Sequence, residues 1–113
     1  MIQSLVALTA VIALVTMSLR ANARFREEDR LPMQWSFKGA INWSAPRRLA
    51  LAMTPVLAII FLAATVVLTL TVEPRAGQEG FEVPVVLILA LVFIGVHGFH
   101  LWMIGETLRR NVG

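Results

Sequence analysis

Three apolar runs, Ile2 to Leu19, Leu49 to Val72 and Pro84 to Ile104, contain no Asp, Glu, Lys or Arg and leave this chain few ways to fold. Each is near or above the ~20 residues a helix needs to cross ~30 Å of hydrocarbon, where every backbone N–H and C=O must be bonded within the chain. The expectation is an all-α integral membrane protein: three transmembrane helices with a structured interfacial loop between the first two. A single membrane domain over residues 1–113 then divides into helix 2–19, extended by composition as far as 30, loop 31–48, helix 49–72, loop 73–83, helix 84–105 and tail 106–113.

Composition agrees, because 58% hydrophobic residues exceeds the ~45–50% of soluble domains. The chain has no cysteine, which excludes disulfides, thiolate metal sites, iron–sulfur clusters and cysteine nucleophiles. The first run resembles a signal peptide only in Ala21-Asn22-Ala23. Met1-Ile2-Gln3-Ser4 lacks a basic leader and Arg20 follows the apolar run directly, so a retained helix is expected.

Basic residues set the expected orientation. Arg20, Arg24, Arg26, Arg30, Lys38, Arg47 and Arg48 lie between the first two runs, Arg109 and Arg110 lie in the tail, and only Arg75 lies in the second loop. The positive-inside rule places the first loop and the C-terminus in the cytoplasm and the N-terminus outside. An Ala- and Arg-rich, Lys-poor composition fits a bacterial cytoplasmic membrane. The same charges suit anionic lipid headgroups, and nucleic acid is not an expected partner.

Local chemistry predicts the boundaries. Ser44 is a candidate cap for the second helix with Pro46 in its first turn, and Pro84 suits the first turn of the third. Pro55 lies inside the second span and deprives a carbonyl near Leu51 of its donor. A kink follows unless Thr54 or a neighbouring helix satisfies it. Helix contacts in lipid depend on small residues, and three stripes qualify: Ala7, Ala10 and Ala13; Ala50, Thr54 and Ala58; Gly95 and Gly98.

Residues 20–30, RANARFREEDR, are strong helix formers with Arg24 and Glu28 spaced for an i, i+4 pair. In LPMQWSFKGAINWSAPRR, residues 31–48, the arms Met33 to Phe37 and Ala40 to Trp43 flank a Lys38-Gly39 turn, which predicts a small hairpin or compact loop. Trp35, Phe37 and Trp43 are residue types that settle at headgroup level.

The order Leu31-Pro32, Gln34-Trp35, Gly39, Asn42-Trp43, Pro46-Arg47 resembles the loop after the first helix of the SdpI-like membrane protein family, which carries a Leu-Pro, a His-Phe-Asn, a Gly, an Asp and a Trp or Gly before a basic residue. On that resemblance Gln34 stands at the family's His, Trp35 at its Phe, Ser36 at its Asn, Gly39 at its Gly, Asn42 at its Asp, and Arg47 or Arg48 near its Lys. Two departures accompany it. The segment between Leu-Pro and the aromatic is shorter, and His and Asp are replaced by Gln and Asn. The resemblance implies a small bacterial membrane protein of a group linked to toxin immunity and signalling. It also implies an outward-facing loop, against which the arginine count places this loop inside.

In the third run, His97 and His100 are spaced i, i+3 on one face. Histidine within a span is a candidate ligand for haem or bacteriochlorophyll, with Gly95 and Gly98 admitting a flat macrocycle near His97. The alternative is that His97 hydrogen-bonds to another helix while His100, with Trp102, lies towards the interface. Glu106 and Arg109 are spaced for a surface ion pair. There is no Ser-His-Asp grouping, phosphate-cradling glycine loop or intramembrane carboxylate pair, so an enzyme is not expected, nor is a transporter. The expected function is a non-enzymatic accessory or regulatory subunit within a larger membrane protein complex. It would act through Trp35, Gly39, Trp43 and Arg47 in the loop and Gly95 and Gly98 in the third helix, without a cofactor. The alternatives are a cofactor-contacting subunit of a bioenergetic complex and an SdpI-like immunity or signalling protein acting alone; self-association is open to all three.

Overall fold

A computed structural model describes residues 2–38, 40–72, 77 and 80–112. It contains α1 (Ile2–Arg24), β1 (Arg30–Trp35), β2 (Ile41–Pro46), α2 (Arg47–Thr71) and α3 (Glu82–Val112). All three helices are long and apolar enough to cross a membrane. Among the described residues the strands are confined to one two-stranded antiparallel hairpin between α1 and α2, and the other regular elements are helices.

The helices pack along small and branched side chains. Ala7, Ala10 and Leu14 of α1, Ala58 and Leu62 of α2, and Val86 and Ala90 of α3 form one buried cluster. Alanines let the backbones approach, which is the kind of packing that helices able to cross a membrane depend on. Phe61 and Phe93 add a tilted aromatic contact between α2 and α3, their centroids 6.1 Å apart. Leu5, Leu8, Ile60, Leu68, Ile88 and Leu91 point outward and exposed. A soluble monomer rarely presents so much contiguous apolar surface.

A second cluster lies at the hairpin end: Ala21, Phe25, Leu31, Ala45, Ala50, Leu51 and Ile104. It explains why α1 stops at Arg24, although helix-forming composition continues to residue 30. Phe25 N–H still bonds to Ala21 O (2.8 Å), but Glu28 N–H reaches back to Phe25 O (2.9 Å) and the chain turns. Burial of Phe25 and Leu31 against Ile104 outweighs the few tenths of a kcal/mol per residue that helix propensity supplies over this stretch. Arg24 and Glu28 form no pair; Arg24 lies over the Phe25 ring, 5.0 Å from its centroid.

The hairpin differs in its arms from the expected ones. Its register pairs Arg30 with Pro46, Leu31 with Ala45, Pro32 with Ser44, Gln34 with Trp43 and Trp35 with Ile41. Met33 and Asn42 are each passed over, one extra residue per strand, so the two irregularities compensate. Ser36 closes the connecting loop: its N–H bonds to Ala40 O (2.8 Å), and its hydroxyl accepts from the N–H groups of Ala40 (3.2 Å) and Lys38 (3.3 Å). Gly39, Glu73, Arg75 and Glu79 lie outside the described residues.

Two expected boundaries move. Ser44 does not cap α2, because it lies in β2 and receives Arg30 Nε at 3.1 Å; Pro46 occupies the cap position without a side-chain bond, and the helix starts at Arg47. Residues 106–112 are not a separate tail. The helix runs through Gly105, helped by the Glu106–Arg109 contact at 2.5 Å, and α3 reaches 31 residues. At 1.5 Å per residue that is about 46 Å, longer than a hydrocarbon core. Pro84 does fall in its first turn, as expected.

Candidate functional site

Apart from Gln3 Nε2, which donates to Thr69 Oγ1 at 3.3 Å at the opposite end of the bundle, the polar side-chain contacts between elements gather at the hairpin end, where the C-terminal part of α1, the N-terminal part of α2 and the C-terminal part of α3 meet. Pro55 leaves the Leu51 carbonyl without its helical donor, and the Ser18 hydroxyl of α1 donates to it at 2.7 Å. Ser18 Oγ also lies 2.8 Å from His97 Nε2 of α3. A serine hydroxyl has one proton, and Leu51 O can only accept, so Oγ must accept from His97. His97 therefore carries a proton on Nε2. Its buried Nδ1 has no hydrogen-bond partner, which suits a lone pair, since a second N–H there would be an unsatisfied donor. One residue from each helix thus joins in a single chain of hydrogen bonds, within a residue environment from which His97 is fully enclosed.

Below this node the hairpin docks on α3. His100 Nε2 donates to the Pro32 carbonyl at 3.3 Å, and the Trp35 ring meets the His100 ring edge-on with centroids 5.8 Å apart. Trp35 Nε1 donates to Thr107 Oγ1 at 2.9 Å, which satisfies the buried threonine as well as the indole. Leu31 and Ala45, opposite each other in the ladder, fill the gap between hairpin and helices.

Arg47 fastens the other side. Its Nε donates to Asn22 Oδ1 (2.8 Å) and its NH1 to the carbonyls of Arg26 and Glu28 (both 2.7 Å), while its own N–H bonds to Asp29 O (2.9 Å). A planar guanidinium can present several donors in one fixed fork, which an ammonium cannot. The turn 25–29 is thereby held to the start of α2. Arg30 NH2 donates to Ser44 O at 2.6 Å and supports the hairpin from its outer edge.

The residues singled out from the sequence therefore separate into two groups. Trp35, Arg47, His97 and His100 all point into the molecule and hold it together. Trp43 is exposed, as are Phe37, Lys38 and Ile41 beside it at the hairpin tip. Gly98 faces Met17, whose Cε would lie 3.5 Å from an added Cβ, whereas Gly95 is exposed with nothing near it. Ligation of a macrocycle metal through His97 Nε2 would break the bond to Ser18. No group of three or more metal-ligating side chains occurs among the described residues.

Ser18, Asn22 and Thr107 were not anticipated. Ser18 had a signal: the sequence provides an orphaned carbonyl at Leu51, and a serine in the last turns of the first run is a natural donor for it. Asn22 and Thr107 had none, because their partners come from 25 and 72 residues away. The chain matches no family model, no curated protein and no solved structure.

Proposed function

We propose that this chain is a non-enzymatic accessory or regulatory subunit of a bacterial cytoplasmic membrane, whose three helices cross the bilayer and whose hairpin tip contacts a larger membrane protein. The observation that carries this reading is the division of labour within the loop. Trp35 and Arg47 are engaged with their own chain, while Phe37, Ile41 and Trp43 are turned outward on a hairpin clamped to the helix ends. Aromatic side chains on a rigid support lose little entropy on binding, and they are frequent anchors of interfaces.

The arginine distribution supports a cytoplasmic hairpin and C-terminus. Lipid headgroups and a protein surface meet at that depth, and a clamped aromatic tip suits both. Gly95, exposed on α3, offers a second place where a helix from another protein could come close. The enclosed node at His97 supports cohesion of the three helices rather than chemistry.

The test is extraction of the native membrane into nanodiscs, followed by mass spectrometry of the co-migrating proteins and an absorption spectrum. Co-migration with one defined complex is expected for the natural chain and for Trp35→Phe, and its loss for the Phe37→Ala/Trp43→Ala pair. Equal recovery from the pair would overturn the role of the tip. A pigment band abolished by His97→Ala would instead favour the cofactor-contacting alternative.

A further inference from the structure

We infer that the cleft between the end of α1 and the end of α3 is a binding site for the headgroup of a zwitterionic aminophospholipid of the phosphoethanolamine type. The cleft has a volume of about 720 Å³ and is lined by the turn after α1, from Ala23 to Glu28, and by Gly105, Leu108 and Arg109 of α3. That size falls within the ~300–1,000 Å³ of small-molecule sites. The hairpin packs on α2 and α3, so this face between α1 and α3 stays uncovered.

Its charges are arranged in an unusual way. Arg24, Arg26, Glu27 and Glu28 all line one cleft, yet among the described residues the only ion pair is Glu106 with Arg109. The side chains of these four make no hydrogen bond; Arg24 lies over the face of Phe25, and its charge also acts on Glu106 of α3. Arg24 is also given its place by α3. A Cβ on Gly105 would lie 2.9 Å from Arg24 NH2, so the guanidinium, at the end of a flexible side chain, rests against the bare Cα of Gly105. A guanidinium with no hydrogen bond of its own keeps its whole fork of donors for phosphate oxygens.

The two carboxylates decide which phosphate. An anionic headgroup would meet Glu27 and Glu28 as like charges, whereas a phosphate ester carrying a primary ammonium answers both signs at once. Leu108, partly exposed on α3, supplies apolar wall for the start of the acyl chains. The cleft also sits where a headgroup would be found: α3 is about 46 Å long, and its charged end projects beyond a hydrocarbon core.

The purified full chain in mild detergent can be tested by native mass spectrometry against phosphatidylethanolamine, phosphatidylglycerol and phosphatidylcholine of identical acyl chains. Phosphatidylethanolamine is expected to be retained about tenfold better than either, because one lacks the ammonium and the other cannot donate hydrogen bonds from it. Arg24→Gln should abolish that preference, and the Glu27→Gln/Glu28→Gln pair should shift it to phosphatidylglycerol. Equal retention of the three lipids by the natural chain would overturn the site. So would displacement of phosphatidylethanolamine by millimolar inorganic phosphate, which would assign the cleft to free phosphate. Should Arg24→Gln lose its fold by circular dichroism, the glutamine pair decides, since those carboxylates lie outside the packed clusters: an unchanged preference refutes the inference.

Discussion

Single atoms carry the cohesion of this bundle. Ser18→Ala removes one oxygen and orphans two groups, the Leu51 carbonyl and the His97 Nε2–H. Interhelical hydrogen bonds between spans average about 0.6 kcal/mol, but an unsatisfied buried group adds about 1–3 kcal/mol, so a loss near 2 kcal/mol is expected in thermal unfolding in detergent. A change indistinguishable from zero would mean that the node is incidental. The same node fixes a tautomer: ¹⁵N spectra of His97 should show a protonated Nε2 and a bare Nδ1, and the reverse would require a different partner for Leu51. Trp35→Phe keeps the ring against His100 but leaves Thr107 without its donor, for which about 1 kcal/mol of destabilisation is expected by the same unfolding measurement. Half of this was readable in the sequence. Pro55 announced an orphan at Leu51 by simple backbone chemistry, whereas the choice of Ser18 over Thr54 depends on how α1 and α2 are set against each other, which no local pattern encodes.

Elements were legible where a single periodicity dominated and not where tertiary contacts compete with it. The three spans follow from apolar length alone. The end of α1 does not, because RANARFREEDR is helical by propensity and is broken by burial of Phe25 and by the Arg47 fork. The start of α2 was misread for a similar reason: Ser44 is an ordinary cap residue, but the hairpin ladder carries on to Pro46 and Arg30 engages its hydroxyl. The helix of α3 outlasts the apolar run that ends at Ile104, because hydropathy marks where a span ends and not where its backbone stops being helical. If the fork holds the turn, Arg47→Lys should raise amide hydrogen exchange in residues 25–30 by about tenfold or more, since a lysine keeps the charge but cannot reach three acceptors in one plane. Unchanged protection there would show that the buried Phe25 and Leu31 suffice.

For the whole molecule, two kinds of cohesion act at two depths. Along the helices, alanine contacts, the Ser18 node and the Gln3–Thr69 hydrogen bond supply the cohesion, and within a bilayer these would be what holds helices that gain nothing from hiding apolar surface in apolar surroundings. At the hairpin end, Leu31, Ala45 and Phe25 are withdrawn from contact with water or headgroups, and there the ordinary hydrophobic effect of about 25 cal/mol per Å² adds to the hydrogen bonds. The result is a rigid end that presents Phe37, Ile41 and Trp43 outward, and that presentation is the basis of the proposed partner contact. The candidate site was only half legible at this scale. Composition identifies the loop as the one polar and aromatic stretch of the chain, but which of its two tryptophans faces inward depends on the ladder register and on Thr107. The measurement that bears most directly on the account is photo-crosslinking in native membranes from a probe placed at position 43, with position 35 as the control. Crosslinks to one larger membrane protein from position 43, and only to the chain itself from position 35, are the predicted result. Crosslinks from position 43 to lipid alone would contradict the subunit reading.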